Sequence, residues 1–404
     1  MYDFDSVVNR KGTCCIKWEK QTRAFGTEGL LPFWIADTDF PVEPHIKEML
    51  IRRAEHPIYG YACQGDGYMD AVTAWFQTRH HWEIKKEWII PCSGVVTAIG
   101  FAMDAVTKPG DKVMLLTPMY DPFFQVITGS GRTLVTLDLT EQNGTYEIDY
   151  EAFENQLKAG VGAIIFCNPH NPIGKVWNKS DLERISKLCA QYHVYILSDD
   201  IHCDIVMEGH TYTPIATFDC VRDLTATFTA PSKTFNVAGA GSANIIVENE
   251  ELRCKIRQSL MSKFLMGPGL FGYVICEAAY TYGERWLDEE LVYLNENSRY
   301  VTTYLKEHMP LIKACDHQGT FLIWLDFRAL TLDSNEICGQ LCRECNVALN
   351  RGNAFGDSGD GFMRLNIGCS RTLLTELMNR LQAWYEHMTQ TLELQIPVFQ
   401  TTDI

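Results

Sequence analysis

The residues best suited to chemistry lie in Thr227-Phe228-Thr229-Ala230-Pro231-Ser232-Lys233-Thr234-Phe235-Asn236, where an apolar, strand-like run ends in a single lysine. A lysine set just past a buried strand, among small residues and one aromatic, loses hydration that its charged form needs. It can then hold a neutral amine, the form that attacks an aldehyde to make a Schiff base. Taken alone, the stretch is better explained by a solvated lysine in a turn, since most lysines are exposed.

Other segments bear on that choice. Short apolar runs at 112–117, 162–168, 194–198, 225–229 and 243–248 alternate with stretches of helical periodicity. Ser180-Asp181-Leu182-Glu183 has the capping-box pattern ahead of one such helix. The alternation predicts an α/β fold: a three-layer, mainly parallel sheet with helices on both faces. Ligands in such folds sit beyond the carboxyl ends of the strands. The residues that follow the runs are Tyr120-Asp121, then Asn168-Pro169-His170-Asn171-Pro172, then Asp199-Asp200-Ile201-His202, then Ser232-Lys233. Each has an ordinary explanation, a turn or a helix cap; together they describe one site. A further segment, Pro91-Cys92-Ser93-Gly94-Val95-Val96-Thr97, leads into an apolar helix that stops at Pro109-Gly110. Backbone N–H groups at such a helix start suit a phosphate.

The 404 residues allow two domains, and a net charge of −16 argues against nucleic acid or an anionic membrane as partner. Small-molecule chemistry fits better. Fifteen cysteines without framework spacing read as reduced thiols. With an acidic N-terminus and no apolar run of membrane-spanning length, the expected location is the cytoplasm. Cys338, Cys342 and Cys345 have the C-x3-C-x2-C spacing of some iron–sulfur sites, yet the same spacing marks one face of a helix expected over 334–347. They are read as core, and no metal is expected.

Residues 1–42 read as an irregular, aromatic-rich arm, part of a small domain; 43–290 as the large domain, 291–392 as the rest of a smaller α+β domain, and 393–404 as a tail. Helices are expected over 43–56 and 298–310, with a strand over 320–327. His56-Pro57-Ile58-Tyr59-Gly60-Tyr61 reads as a turn. Arg364 lies in the apolar run 361–368, where an unpaired charge is costly and a planar fork suits a carboxylate.

With these motifs in order, the chain resembles the fold-type I pyridoxal-phosphate enzymes of the class I and II aminotransferase group, over nearly its whole length. Tyr2-Asp3-Phe4-Asp5, Trp34-Ile35-Ala36-Asp37, Asn168-Pro169-His170-Asn171-Pro172, Ser198-Asp199-Asp200-Ile201-His202 and Ser232-Lys233-Thr234-Phe235-Asn236 are similar to the cystathionine β-lyase and cysteine-S-conjugate β-lyase branch. The resemblance implies pyridoxal 5'-phosphate bound covalently to Lys233, which also carries the catalytic proton. Asp199 would pair with the pyridine nitrogen, Asn171 and His202 would lie near the ring's phenolate oxygen, and Tyr120 would stack on the ring. Val95, Val96 and Ser232 would hold the phosphate, and Arg364 the substrate carboxylate. It further implies a homodimer in which Tyr61 reaches the neighbouring subunit's phosphate. Ala230, where relatives often carry serine, and Asp200, where the branch usually has glutamate, are departures. The implied activity is β-elimination from a small amino-acid substrate; an aminotransferase is the alternative. A regulatory binding protein is the third reading, disfavoured because Lys233 and Asp199 are both present.

Overall fold

The computed structural model describes residues 2–265 and 267–395, so the expected tail lies outside the described residues from 396 onward. Its centre is a seven-stranded sheet: β1 (Ile89–Cys92), β2 (Lys112–Thr117), β3 (Thr133–Asp138), β4 (Val161–Cys167), β5 (Tyr195–Asp199), β6 (Thr225–Thr229) and β7 (Ala243–Ile246), in spatial order β1-β7-β6-β5-β4-β2-β3. All pairings are parallel except those of β7, which runs antiparallel to both β1 and β6. The interior strands are buried almost throughout because both of their faces are covered. Ala163 and Ile165 of β4 pack with Ala98, Ile99 and Met103 of helix Val95–Val106. Ile164 and Phe166 turn the other way, toward Leu182, Ile185 and Cys189 of helix Lys179–Tyr192. This period-two division of side chains is what a doubly covered sheet requires.

The expected runs at 112–117 and 225–229 coincide with β2 and β6. β1 and β3, which sequence reasoning did not single out, are the two edges of the sheet. Helix Lys179–Tyr192 is capped two positions earlier than the Ser180 pattern implied: Asn178 accepts from Asp181 N at 2.8 Å, and the Ser180 hydroxyl donates to Asn178 instead.

A second, four-stranded antiparallel sheet comprises β8 (Lys313–Ala314), β9 (Leu322–Asp326), β10 (Asn350–Arg351) and β11 (Phe362–Asn366), ordered β8-β9-β11-β10. Its register places Arg364 between Trp324 and Asn350. Helix Glu284–His308 starts well before the expected 298 and runs across position 290. The helix expected over 334–347 starts at Ser334 with Asp333 as its cap and Glu336 completing a capping box, but the α-helix ends at Gln340 and gives way to a π-helical turn at Leu341–Cys345. All three thiols are buried.

The N-terminal arm is less irregular than expected, with helical turns at Ile16–Glu19 and Gln21–Phe25. Leu31–Pro32 pairs in parallel with Val347–Ala348, which joins the arm to the C-terminal part of the chain. Asn366 Nδ2 donates to the carbonyls of Ile35 and Asp37, both at 2.7 Å. Arg10 and Lys17 each reach Asp39 at 2.7 Å, and the network extends to Asp37. The arm is thereby held over the C-terminal edge of the large sheet. Among the described residues no helix is long and apolar enough to cross a membrane.

Candidate active site

The carboxyl ends of β4, β5 and β6, the residues after β2 and the start of helix Val95–Val106 enclose a cavity of about 220 Å³ lined by Ala36, Gly94, Val95, Val96, Thr97, Tyr120, Asn171, Asp199, Ile201, His202, Ser232 and Lys233. Eight of the residues singled out from sequence therefore meet there. Arg364 adjoins the cavity by donating to Asn171 Oδ1 at 3.0 Å. Tyr61 does not line it and is fully exposed within this chain.

Lys233 lies on the single helical turn Pro231–Thr234 immediately after β6. Its Nζ donates to the Ala36 carbonyl at 2.6 Å. Burial pushes the ammonium down to about 8; Asp37 and Asp199 oppose the shift and Arg364 adds to it. At the end of β5, Asp199 is buried and receives only Ile201 N at 3.3 Å and Cys167 Sγ at 3.8 Å. Desolvation raises its carboxyl to about 7 despite those donors and the Lys233 charge. Burial likewise keeps His202 neutral, holding it well below its usual value, and its Nδ1 has no hydrogen-bond partner. Tyr120 is pushed up to about 12, first by burial and then by Asp121.

Arg364 is buried in β11 and brought down to about 10 by desolvation. Besides Asn171 it donates to the Trp34 carbonyl at 2.9 Å and to Asn350 Oδ1 at 3.0 Å, while its Nε–H is buried and unpartnered. Among the described residues no carboxylate lies within ion-pair distance of it. A buried guanidinium supplied only with neutral acceptors is a receptor for a carboxylate from outside the chain. Arg351, by contrast, is exposed and donates to Asn335 at 3.1 Å.

The helix Val95–Val106 begins at Gly94 with no side-chain cap. The first N–H groups of any helix lack internal partners, so Val95 and Val96 present free donors to the cavity, with the hydroxyls of Ser232 and Thr97 beside them. Thr97 was not singled out from sequence, although it sits inside the segment that suggested a phosphate. Ala36, Trp34 and Asn350 were also missed. The first two contribute backbone carbonyls, which leave no side-chain signature, and Asn350 is known as an Arg364 partner only through strand register.

Three comparisons bear on this site. The model of the family described as aminotransferase class I and II matches residues 51–381. The chain belongs to that family. A curated relative, the cystathionine beta-lyase PatB of Bacillus subtilis, is 39% identical over 94% of this chain and 99% of its own length. Among solved structures, a pyridoxal-phosphate-bound putative aminotransferase from Clostridium difficile is 37% identical, with a TM-score of 0.93 over 95% of this chain and 100% of its own. Cystalysin from Treponema denticola, whose crystal structure contains pyridoxal 5'-phosphate, is 34% identical with a TM-score of 0.93, covering 96% of this chain and all of its own. This family member thus has the fold-type I architecture expected from its sequence.

The cavity fits that cofactor on its own geometry. An unpaired buried carboxylate calls for a cation such as a protonated ring nitrogen, an uncapped helix start calls for an anion such as phosphate, and a desolvated amine suits an aldehyde. If Lys233 titrates near 8, its reactive neutral fraction grows as pH rises through that value. Capture of pyridoxal 5'-phosphate by the cofactor-free protein, followed by imine absorbance in stopped flow, should accelerate with pH and level off above about 8. A rate still climbing in proportion to hydroxide up to pH 10 would show that the lysine is not desolvated.

Proposed function

We propose that this chain is a pyridoxal 5'-phosphate-dependent carbon–sulfur β-lyase, cleaving cystathionine or related cysteine S-conjugates to a thiol, pyruvate and ammonia. One observation carries the reading beyond the family. Among the described residues, Arg364 is the one guanidinium whose charge bears on Lys233, His202, Tyr120 and Asp121. One fork serves one α-carboxylate. Transamination needs a keto acid in a second half-reaction, a dicarboxylic keto acid calls for a second guanidinium, and none lines this cavity among the described residues of the single chain. The full-length likeness to a relative named cystathionine beta-lyase supports the same choice. The aminotransferase reading stays in view because one solved relative bears that name.

When bound, the cofactor anchors the substrate's amino group and withdraws electron density from Cα. The chain's residues do the rest. Arg364 binds the α-carboxylate through its unpartnered Nε–H and neighbouring donors. Asp199, buried at the end of β5, would supply the counter-charge for a protonated ring nitrogen. Asn171 and His202 would border the ring, Tyr120 would cover its face, and Val95, Val96 and Ser232 would hold the phosphate, as all of them line the cavity. Lys233 Nζ takes the proton from Cα, the Cβ–S electron pair leaves with sulfur, and a proton returns to the thiolate. A thiolate is a competent leaving group because thiols are acidic. Water then hydrolyses the unsaturated amine to pyruvate and ammonia.

The homodimer belongs to the same proposal. Tyr61 is exposed together with Ile58, Tyr59 and Phe264, an apolar set that suits a second copy, with Tyr61 directed to that copy's phosphate. Cytoplasmic residence is supported by fifteen unbridged cysteines; recovery of the native enzyme in an exported fraction would count against it.

Two measurements test these readings. With cystathionine and no added keto acid, pyruvate should accumulate over many turnovers while the cofactor stays in its aldehyde form. Arrest after one equivalent, relieved only by 2-oxoglutarate or pyruvate, would make the protein an aminotransferase. For the dimer, mixing inactive Lys233→Ala with impaired Tyr61→Phe subunits should recover activity, since one heterodimer site is intact. No recovery after verified subunit exchange, or a monomer in sedimentation, removes the composite site.

A further inference from the structure

Four residues are too few to hold a helical turn by themselves, because the first turn fixes several dihedrals for one hydrogen bond. The turn Pro231–Thr234 that carries Lys233 closes with Phe235 N donating to the Pro231 carbonyl at 2.9 Å and Val237 N donating to the Ser232 carbonyl at 3.0 Å. Its orientation therefore depends on anchors outside it. Phe235 is one, buried with its ring 5.6 Å from Trp75. Asn236, donating to the Phe40 carbonyl at 2.9 Å, is another. The third anchor touches the turn itself. The Thr234 hydroxyl, adjacent in sequence to the lysine, donates to Asp204 Oδ2 at 2.7 Å.

Asp204 is only 4% exposed and has three side-chain donors. Its Oδ1 faces Trp75 Nε1 at 2.9 Å and His80 Nε2 at 2.7 Å, both from helix Asp66–His80. Burial would push this carboxyl up, but the hydrogen bond and charge of His80, with Thr234 and Trp75, outweigh it and leave the group below its ordinary value. Asp204 thus differs from its neighbours Asp199 and Asp200, both raised to about 7 by burial. It also belongs to the loop that carries the other side of the site: Cys203 N donates to the Asp200 carbonyl at 3.0 Å and Ile205 N to the His202 carbonyl at 2.9 Å.

Cys203, His80 and Asp204 do bring three possible ligand atoms within 4.8 Å of one another, the arrangement of a candidate metal site. Three side-chain donors already engage both oxygens of Asp204, so the cluster reads as a hydrogen-bonded anchor.

We propose that Asp204 is a positioning residue for the lysine. As a buried, fully satisfied anion it ties the Asp199–His202 loop, helix Asp66–His80 and the lysine turn into one unit, and the Thr234 hydroxyl carries that constraint to Lys233. The inference rests on the reading of Lys233 as the catalytic lysine. A buried carboxylate with both oxygens engaged is stiffer than a packing contact alone, and small displacements of a reacting group cost rate steeply.

Thr234→Val removes the hydroxyl at nearly constant volume and leaves Arg364 untouched. In the purified holoenzyme it should lower kcat for cystathionine roughly ten- to a hundredfold, with little change in KM, and should weaken the visible circular dichroism of the bound cofactor. Thr234→Ser, which keeps the oxygen, should restore both. If the valine protein does not fold, Thr234→Ala removes the same hydroxyl with less bulk and must give the same kcat loss. A Thr234→Val enzyme with parental kcat and dichroism, and only a lower Tm, would reduce Asp204 to structural glue and overturn the proposal. Lys233→Ala run alongside separates the two claims: a borohydride-sensitive absorption that survives in that variant defeats the reading of Lys233 itself, whereas its loss beside an unchanged Thr234→Val defeats only the positioning role.

Discussion

Taking charged groups out of water is the constraint on which the site depends. Desolvation drives each of its three ionisable anchors toward neutrality: Asp199 up to about 7, Lys233 down to about 8 and Arg364 down to about 10. Among the described residues no side chain neutralises them as an ion pair, and that is what distinguishes them from the arm, where Arg10 and Lys17 meet Asp37 and Asp39 directly. The parallel sheet makes the arrangement reachable, since it delivers four strand ends to one edge while keeping their apolar bodies buried on both faces. The arm completes it with backbone carbonyls at Trp34 and Ala36, which satisfy donors of Arg364 and Lys233 without cancelling their charge.

The cost has a definite sign. A carboxyl whose folded pKa is raised binds its proton more tightly in the folded chain than in the unfolded one. The cofactor-free protein therefore loses stability as pH rises from the unfolded value of 3.8 toward about 7. For Asp199 alone the full loss is on the order of 4 kcal/mol. A bound ring cation would offset it, so cofactor binding and folding are linked through this one side chain. Asp204, held low by its donors, has the opposite dependence and loses its contribution only under acid.

What the sequence made legible follows the same physics. β2 and β6 were readable to the residue because interior strands, buried on both faces, are short runs of apolar and β-branched residues. β1 and β3 were not, because they are edges: β1 tolerates Pro91 at the margin of the sheet, and β3 mixes exposed and half-covered residues. Site side chains were found because polar residues directly after buried strands stand out. The contacts that hold them were not, since the Ala36 and Trp34 carbonyls carry no side-chain signal and the Lys233–Ala36 bond spans 197 positions. The cap at Asn178 was misread because Ser180 offers an equally good local pattern, and only the backbone geometry distinguishes them.

The central claim is that Asp199 is a charge the fold carries for its ligand and not for itself. Urea unfolding of cofactor-free protein, comparing Asp199→Asn with the parent at pH 8 and pH 5, measures this directly. The variant should be the more stable protein at pH 8, by about 2 to 4 kcal/mol, with the advantage shrinking toward pH 5 as the parent's carboxyl takes up its proton. A variant that is equally or less stable at pH 8 would mean that Asp199 is already paid for by its surroundings, and the account of the site would fail.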